Sequence, residues 1–375
     1  MRSQLMGKKG LLMTKVRIGL IGLGGMARWH IHQFGEVEDL EIAAVCDVSP
    51  QAVEETGDRL NIPKERRYAR FQDLIADPAI DGVVSVTPNN THADILKACI
   101  AAGKPLYAEK PLTRTYEEAV EVLSLYRQSP MPCMINFSYR NAPGFQRARK
   151  MIASGQLGQI RHLSVQYLQE WGAAPFGTPF VWRFDESVTG TGALGDLGSH
   201  MIDLAQYVTG SNIEGVQAML RTLIPQRPHP ETREPVEVKV DDFACFAAAF
   251  GNGAVGVFQT SRNALGCGNQ HEITVYGDLG TVHVSTLNDH QLKWTSVQEG
   301  VKGTFTEIID VPPEEGLHPW RAFAALIRGE GTEGCATLED GFYNQLILEA
   351  VVRSHEAGAW LDVASLLPRP AAVSE

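Results

Sequence analysis

Three side chains with complementary acid–base chemistry stand out in this 375-residue chain: Lys110, Asp196 and His200. Lys110 sits in the string Glu109-Lys110-Pro111. Asp196 and His200 lie four apart in a glycine-rich stretch, residues 190–203. If a helix begins at Asp196, the two share a face, and the carboxylate can orient the imidazole and favour its charged form. Removing a proton from a hydroxyl needs a group that titrates near neutrality, and a fixed cation can stabilise the alkoxide that develops. Both His200 and Lys110 are candidates for the proton acceptor. Each residue also has a plainer reading: Asp196 as a helix N-cap, His200 as a core histidine, Lys110 as a solvated surface charge. Asp203, three residues beyond His200, reads as structural.

The elements around these residues follow from hydrophobic periodicity. Short apolar runs at 16–21, 41–46, 82–86, 106–108 and 132–137 alternate with helical patterns at 25–34, 93–102 and 116–126. That alternation predicts parallel strands with helical crossovers, a doubly wound Rossmann domain over residues 14–138. Lys110 then lies past the C-terminal end of a parallel strand, where such sheets bind ligands.

Residues 22–27 read Gly-Leu-Gly-Gly-Met-Ala between a predicted strand and a predicted helix. Gly22 permits the tight turn, Gly24 lets the backbone approach a pyrophosphate, and Ala27 allows close helix–strand packing. Gly25 and Met26 open the helix, whose free amides and dipole favour phosphate. Asp47, twenty residues after Ala27, ends the second strand, where a carboxylate can bind the ribose hydroxyls and repel a 2′-phosphate. Val48 and Ser49 follow it and neither is basic, so NAD is expected rather than NADP. Thr87, Pro88, Asn89 and His92 follow the strand 82–86 and are expected to line the cofactor cleft, with a cap on the next helix as the alternative for His92.

After about residue 140 the pattern changes to α+β, with a largely antiparallel sheet expected across a second domain, 139–375. Strands are expected at 160–169, 240–250, 254–260, 271–276, 281–284 and 305–311, and helices at 144–154, 320–327 and 338–355. Asn252-Gly253 marks a hairpin. The proline-rich run 225–235 reads as an exposed loop. Arg262, Asn263 and His271 are further candidates for polar contacts to a ligand.

A net charge of −11 argues against nucleic acid or an anionic membrane surface as the main partner. The six cysteines form no Cys-x-x-Cys pair, which suggests reduced thiols and a cytoplasmic setting. The histidines lack metal-ligand spacing, so no metal is expected. No Ser/His/Asp nucleophile arrangement stands out. The N-terminus lacks the apolar core of a secretory signal, no run is long enough to span a membrane, and Met13 offers an alternative start.

The glycine loop, Thr-Pro-Asn-Asn-Thr-His at 87–92, Glu-Lys-Pro at 109–111 and the 190–203 stretch together resemble the Gfo/Idh/MocA family of sugar and polyol oxidoreductases. The resemblance runs from about residue 16 to 363. It implies NAD-dependent hydride transfer at a secondary alcohol of a sugar, polyol or derivative. It maps the family's lysine, aspartate and histidine onto Lys110, Asp196 and His200, and we assign His200 as general base with Lys110 and Asp196 placing the hydroxyl. It places the Trp182-Arg183 pair near the cofactor, with simple packing as the alternative, and Asn136, Tyr139 and Arg140 against nicotinamide or substrate, with a domain-interface role as the alternative; Glu109 reads as a cofactor contact or a structural hydrogen bond. It implies an open-faced sheet used for homo-oligomer contacts, a dimer or tetramer. Other readings on the same fold are a carbonyl reductase of an anhydro-sugar, a dihydrodiol dehydrogenase, or a non-catalytic NAD sensor.

Overall fold

Strands buried along nearly their whole length need a layer on each face. In the computed structural model, which describes residues 15–367 apart from 299, 301 and 332, the first third of the chain meets that need. The possible start at Met13 lies outside the described residues. Strands β1 (Val16–Ile21), β2 (Leu40–Cys46), β3 (Arg67–Tyr68), β4 (Gly82–Ser85), β5 (Leu106–Ala108) and β6 (Cys133–Ile135) form one parallel sheet. Its order is β3-β2-β1-β4-β5-β6, and the reversal between β1 and β4 opens the crevice in which such sheets bind dinucleotides. Helices α1 (Gly25–Phe34), α2 (Pro50–Arg59), α3 (Phe71–Ala76), α4 (His92–Ala102) and α5 (Tyr116–Gln128) make the crossovers. The Rossmann expectation holds. The short helices α2 and α3 are additions to it.

The second half begins with α6 (Pro143–Ala153) and β7 (Ile160–Leu168), then α7 (Glu186–Thr189) and α8 (Ser199–Thr209). The remaining strands are β8 (Ile213–Arg221), β9 (Gln226–Pro228), β10 (Pro235–Glu237), β11 (Phe243–Phe250), β12 (Val255–Ser261), β13 (Gln270–Gly277), β14 (Gly280–Ser285), β15 (Gln291–Val297), β16 (Thr304–Asp310) and β17 (Leu361–Asp362). Nine of these strands form a second sheet, in the order β16-β15-β14-β13-β7-β12-β11-β8-β17. Only the β7–β12 pair is parallel. Helices α6 and α8, with α10 (Leu338–Ala357), cover one face. Along β12 the side chains alternate: Val255 and Val257 are exposed while Phe258 is buried, the signature of a sheet with one uncovered face.

Two expectations need correction. The run 225–235 is not a plain exposed loop, because β9 and β10 pair antiparallel and Arg227 turns inward. Its guanidinium donates to the Gly172 carbonyl at 2.7 Å and faces Asp242, which satisfies the buried charge. Nor does the division at residue 138 describe the packing. Helix α9 (Pro319–Arg328) follows β16 in sequence but returns to the first domain, where Trp320 and Phe323 join the core formed by β1 and α1, before α10 and β17 go back to the second sheet. The Trp320 ring stacks on Phe34 at 4.0 Å and meets Tyr107 edge-on at 5.0 Å. Trp320→Ala should therefore cost about 3–5 kcal/mol, the usual range for emptying a large core aromatic site. Urea denaturation reads this directly, and an unshifted midpoint would show that α9 is only loosely attached.

Candidate functional site

The dinucleotide loop is shaped by one backbone requirement. Gly22 has φ +88° and packs against the Val86 carbonyl, so a side chain there would be both strained and obstructed. By contrast, a Cβ at Gly24 or Gly25 would meet nothing, because both face the open cleft. Helix α1 has no side-chain cap and no acidic residue in its first turn, which leaves its amides free for an anion. Asp47 braces this loop: one carboxylate oxygen accepts from the Leu23 amide at 2.7 Å and the other from Ser49 at 2.8 Å. These features fit the pyrophosphate and ribose of NAD.

A single cleft of about 2000 Å³ runs from this loop to the second sheet. Among the expected cofactor and catalytic residues, Gly22, Gly24, Gly25, Met26, Asp47, Thr87, Pro88, Asn89, Glu109, Lys110, Trp182, Arg183, Asp196 and His200 line it. Ala27 is buried beneath the loop. The Arg183 guanidinium lies over the Trp182 ring at 4.4 Å.

His92 and Arg140 do not line the cleft, and both expectations are corrected. The His92 ring nitrogens face the Thr87 and Pro111 carbonyls at 2.9 and 2.8 Å, so the buried ring ties together two loops that do line it. Burial moves the ring's pKa below the usual imidazole value, and its contacts with the two carbonyls oppose that shift. Arg140 grips Asp203 of α8 through two hydrogen bonds of 2.6 and 2.7 Å and reaches Asp340 of α10 at 3.3 Å. It is a buried clasp to α8 and α10, both in the second half, and not a link between the two domains.

Lys110 and Asp196 do meet. The Lys110 ammonium donates to the Asp196 backbone carbonyl at 2.7 Å and to its carboxylate at 3.0 Å. The other carboxylate oxygen faces Arg262 at 3.3 Å and Arg183 at 3.5 Å. Burial alone would raise the Asp196 carboxyl, but Lys110, Arg262 and Arg183 together hold it well below the usual carboxylate range.

The expected pairing of Asp196 with His200 is not made. Residues Leu194–Gly198 form a wide π-helical turn that leads into α8. That turn is capped by Asp241, which accepts the Gly192 and Leu194 amides at 2.7 Å each, and not by Asp196. The Asp196 side chain is thereby free to face Lys110. His200 is buried against the Tyr139 ring at 4.8 Å, and its Nδ1 has no partner. Burial, then the Lys110 charge, push its pKa well down; Asp196 opposes this only weakly. The imidazole is therefore held neutral, where the sequence suggested a charged form.

Further residues complete the site, and of these only Asn136 and Tyr139 stood out in the sequence. His30, on the buried face of α1 with Ala27 and Phe34, bonds Glu109 at 2.7 Å. Asn136 donates to the same Glu109 oxygen at 2.8 Å and is itself held by the Tyr107 hydroxyl at 2.6 Å. Beside His200, the Tyr139 and Tyr167 hydroxyls meet at 2.6 Å, Tyr167 and Gln169 both donate to Asn269 at 2.7 Å, and Trp171 donates to Gln169 at 2.6 Å. This wall lines the cleft with hydroxyl and amide groups. The period-two pattern of β7 could have found Tyr167 and Gln169 as a pair on one face. Of the other candidates, Arg262 lines the cleft but its guanidinium is committed to Asp196 and the Arg183 carbonyl. His271 is fully buried behind Tyr167, and Asn263 does not line the cleft.

A glycine loop at the switch point of a parallel sheet, with a lysine, a carboxylate and a neutral imidazole gathered at its far end, defines a dinucleotide-dependent oxidoreductase. The chain belongs to the Gfo/Idh/MocA family: residues 16–137 match its NAD-binding Rossmann-fold oxidoreductase domain, and residues 145–283 match the GFO/IDH/MocA C-terminal domain. It is similar to levoglucosan dehydrogenase of Pseudarthrobacter phenanthrenivorans, at 31% identity over 94% of this chain and 99% of the relative. It is also similar to myo-inositol 2-dehydrogenase of Thermotoga maritima, at 26% identity over 77% and 80% of the two chains. Among solved structures, levoglucosan dehydrogenase in complex with NADH and L-sorbose superposes with a TM-score of 0.85, at 29% identity over 94% of this chain and 99% of that one. An oxidoreductase domain protein from Kribbella flavida gives 0.86 at 29% identity, over 94% and 100%. The chain is thus an NAD-binding oxidoreductase.

Proposed function

We propose that this protein oxidises a secondary hydroxyl of a sugar, polyol or close derivative. The observation that carries the reading is the Lys110–Asp196 pair, fixed next to a buried neutral His200 at the end of the dinucleotide cleft. Gly22, Gly24, Gly25 and Met26 would hold the pyrophosphate, Asp47 the adenine-side ribose, and Thr87, Pro88, Asn89, Glu109, Trp182 and Arg183 the rest of NAD. The cofactor supplies the hydride acceptor when bound.

The chain's own residues handle the proton. His200 Nδ1 is sealed and unpartnered, so Nε2 is the nitrogen that takes the hydroxyl proton. An ammonium has three N–H donors, and Lys110 gives two to Asp196. The third is left for the substrate oxygen, where it stabilises the developing alkoxide. The hydroxyl and amide wall beside His200 suits a polyhydroxy substrate. The names of the relatives, levoglucosan dehydrogenase and myo-inositol 2-dehydrogenase, favour the same class.

The test is NADH formation across a panel of neutral sugars, polyols and anhydro-sugars. Turnover of at least one is expected. Tight NAD binding with no turnover of any would overturn the reading in favour of a sensor.

We further propose a cytoplasmic homo-oligomer, a dimer or tetramer. The uncovered sheet face supports the assembly, with Val255 and Val257 exposed on β12 and Met219 on β8, two strands away. Six free thiols are in keeping with a reducing compartment, and no helix among the described residues is long and apolar enough to cross a membrane. Light scattering should give a multiple of the 41.0 kDa chain mass, and a monomer at micromolar concentration would overturn the assembly.

A further inference from the structure

One buried titratable side chain takes no part in the proton chemistry, yet it is connected to the cleft. His30 is 1% exposed on the inner face of α1. Three aromatic rings stand against its imidazole, each near perpendicular: Trp29 at 5.0 Å, Trp320 at 5.2 Å and Tyr107 at 6.3 Å. Close packing of this kind leaves the ring one orientation. Its Nε2 meets the Glu109 carboxylate at 2.7 Å, while the buried Nδ1 has no partner. A carboxylate can only accept, so the ring donates from Nε2. An orphaned nitrogen is a cost that an apolar side chain in the same pocket would avoid. Packing alone therefore does not account for a histidine here.

Glu109 is where the connection leads. Asn136 donates to the same oxygen, Oε1, at 2.8 Å, and the Tyr107 hydroxyl in turn holds Asn136 at 2.6 Å. Two donors converging on one oxygen fix the orientation of the carboxylate. Among the described residues no donor reaches the other oxygen, Oε2, and Glu109 lines the cleft. Burial by itself would raise the Glu109 carboxyl, but His30, Asn136 and Lys110 together hold it below the usual carboxylate value. Its position in the sheet narrows what it can meet. Glu109 follows β5 and Asp47 follows β2, three strand spacings apart in the sheet order, roughly 14 Å. With the adenine-side ribose at Asp47 and the pyrophosphate at α1, Glu109 falls on the nicotinamide side, immediately before Lys110. That half of NAD carries hydrogen-bond donors of two kinds, the ribose hydroxyls and the carboxamide NH2.

We propose that His30 is a positioning residue for the cofactor: acting through Glu109, it aims a fixed carboxylate oxygen at a donor on the nicotinamide half of NAD. The inference rests on the placement of Glu109 beside the cofactor, proposed above. His30 lies five residues beyond Gly25, roughly 7.5 Å along the helix axis. The helix that receives the pyrophosphate at its N-terminus thus also sets the carboxylate that receives the far half of the cofactor.

The experiment measures Kd for NADH, ADP-ribose and ADP in the wild type and in His30→Leu, His30→Met, His30→Gln and Glu109→Ala. ADP lacks nicotinamide and its ribose, so its binding reports whether the phosphate loop is intact. A hydrogen bond to a charged group is worth about tenfold in affinity. The ratio of NADH to ADP affinity is expected to fall by about that factor in His30→Leu and His30→Met, with Kd for ADP unchanged. It should recover in His30→Gln, whose amide nitrogen takes the place of Nε2. A parallel loss for ADP-ribose assigns the donor to the ribose, and a loss for NADH alone assigns it to the carboxamide; both support the role. Equal losses for NADH and ADP in His30→Leu and His30→Met would make His30 structural only and overturn the proposal. An unchanged ratio, or one that His30→Gln does not restore, would overturn it too. An unchanged ratio in Glu109→Ala would overturn the cofactor placement of Glu109 itself, whereas a fall there without one in His30→Leu would overturn the role of His30 alone.

Discussion

His200→Asn is expected to lower kcat by about 10²–10⁴-fold, the usual contribution of a positioned general base, with NAD affinity unchanged. Asparagine keeps a polar side chain of similar reach but cannot accept and carry the proton. The assignment to His200 rather than Lys110 rests on hydrogen bonding. Lys110 donates twice to Asp196 and so works as a cation, whereas His200 is buried, unpaired at Nδ1 and neutral. The pH profile separates the two. A base must be unprotonated to act, so activity falls as pH drops through its pKa. Because burial and Lys110 depress the His200 pKa, the wild-type kcat/KM should stay level to pH values below the ordinary imidazole range. Lys110→Met removes one depressing charge, so the acid limb should move to higher pH along with a loss of rate. A His200→Asn enzyme with near-wild-type kcat and an unchanged acid limb would transfer the base role to Lys110.

Asp196→Asn should be the most damaging single change to stability within the cleft. The Asp196 carboxylate is the shared partner of Lys110, Arg183 and Arg262, and the Arg262 side chain has no exposure at all. Leaving buried charges uncompensated costs about 3–5 kcal/mol. The sign of the pH dependence follows from the depressed pKa of the carboxyl. A group whose folded pKa lies below its unfolded value of about 3.9 stabilises the fold above that pH, and the contribution is lost as pH falls toward the folded pKa. The gap between wild type and Asp196→Asn in urea should thus be full at pH 7 and shrink below about pH 4. Catalysis should fall as well, since Lys110 would lose its charged anchor. A gap under about 0.5 kcal/mol at pH 7, the size of a typical surface substitution, would mean that the three cations find other partners.

Much of this was legible in the sequence, for identifiable reasons. The apolar runs that became β1, β4 and β5 are buried on both faces, and the glycine loop has a backbone requirement that few residue types meet. Lys110, Asp196 and His200 were visible as types at telling positions. Their wiring was not. Asp196 finds Lys110 and Arg262 at sequence separations of 86 and 66, and local spacing pointed to His200 instead. The π-helical turn at Leu194–Gly198 defeats a reading based on ordinary helical geometry. Arg140 and His92 were misread for a common reason: a polar residue next to a cleft can serve the fold by satisfying buried carbonyls and carboxylates. His30 shows the converse, because a histidine on an apolar helix face gave no hint of a carboxylate 79 residues away.

The return of α9 bears on how such a protein can be divided. Trp320 fills a slot between Phe34, Tyr107 and His30, all from the nucleotide-binding half, but it is encoded after eight of the nine strands of the second sheet. The nucleotide-binding half is therefore not a cassette that can be cut after β6 and grafted onto another catalytic partner. Any chimaera that keeps α1 must also keep α9, and one that keeps the second sheet whole must also take α10 and β17 from beyond α9, so the two halves can be exchanged only as interleaved segments.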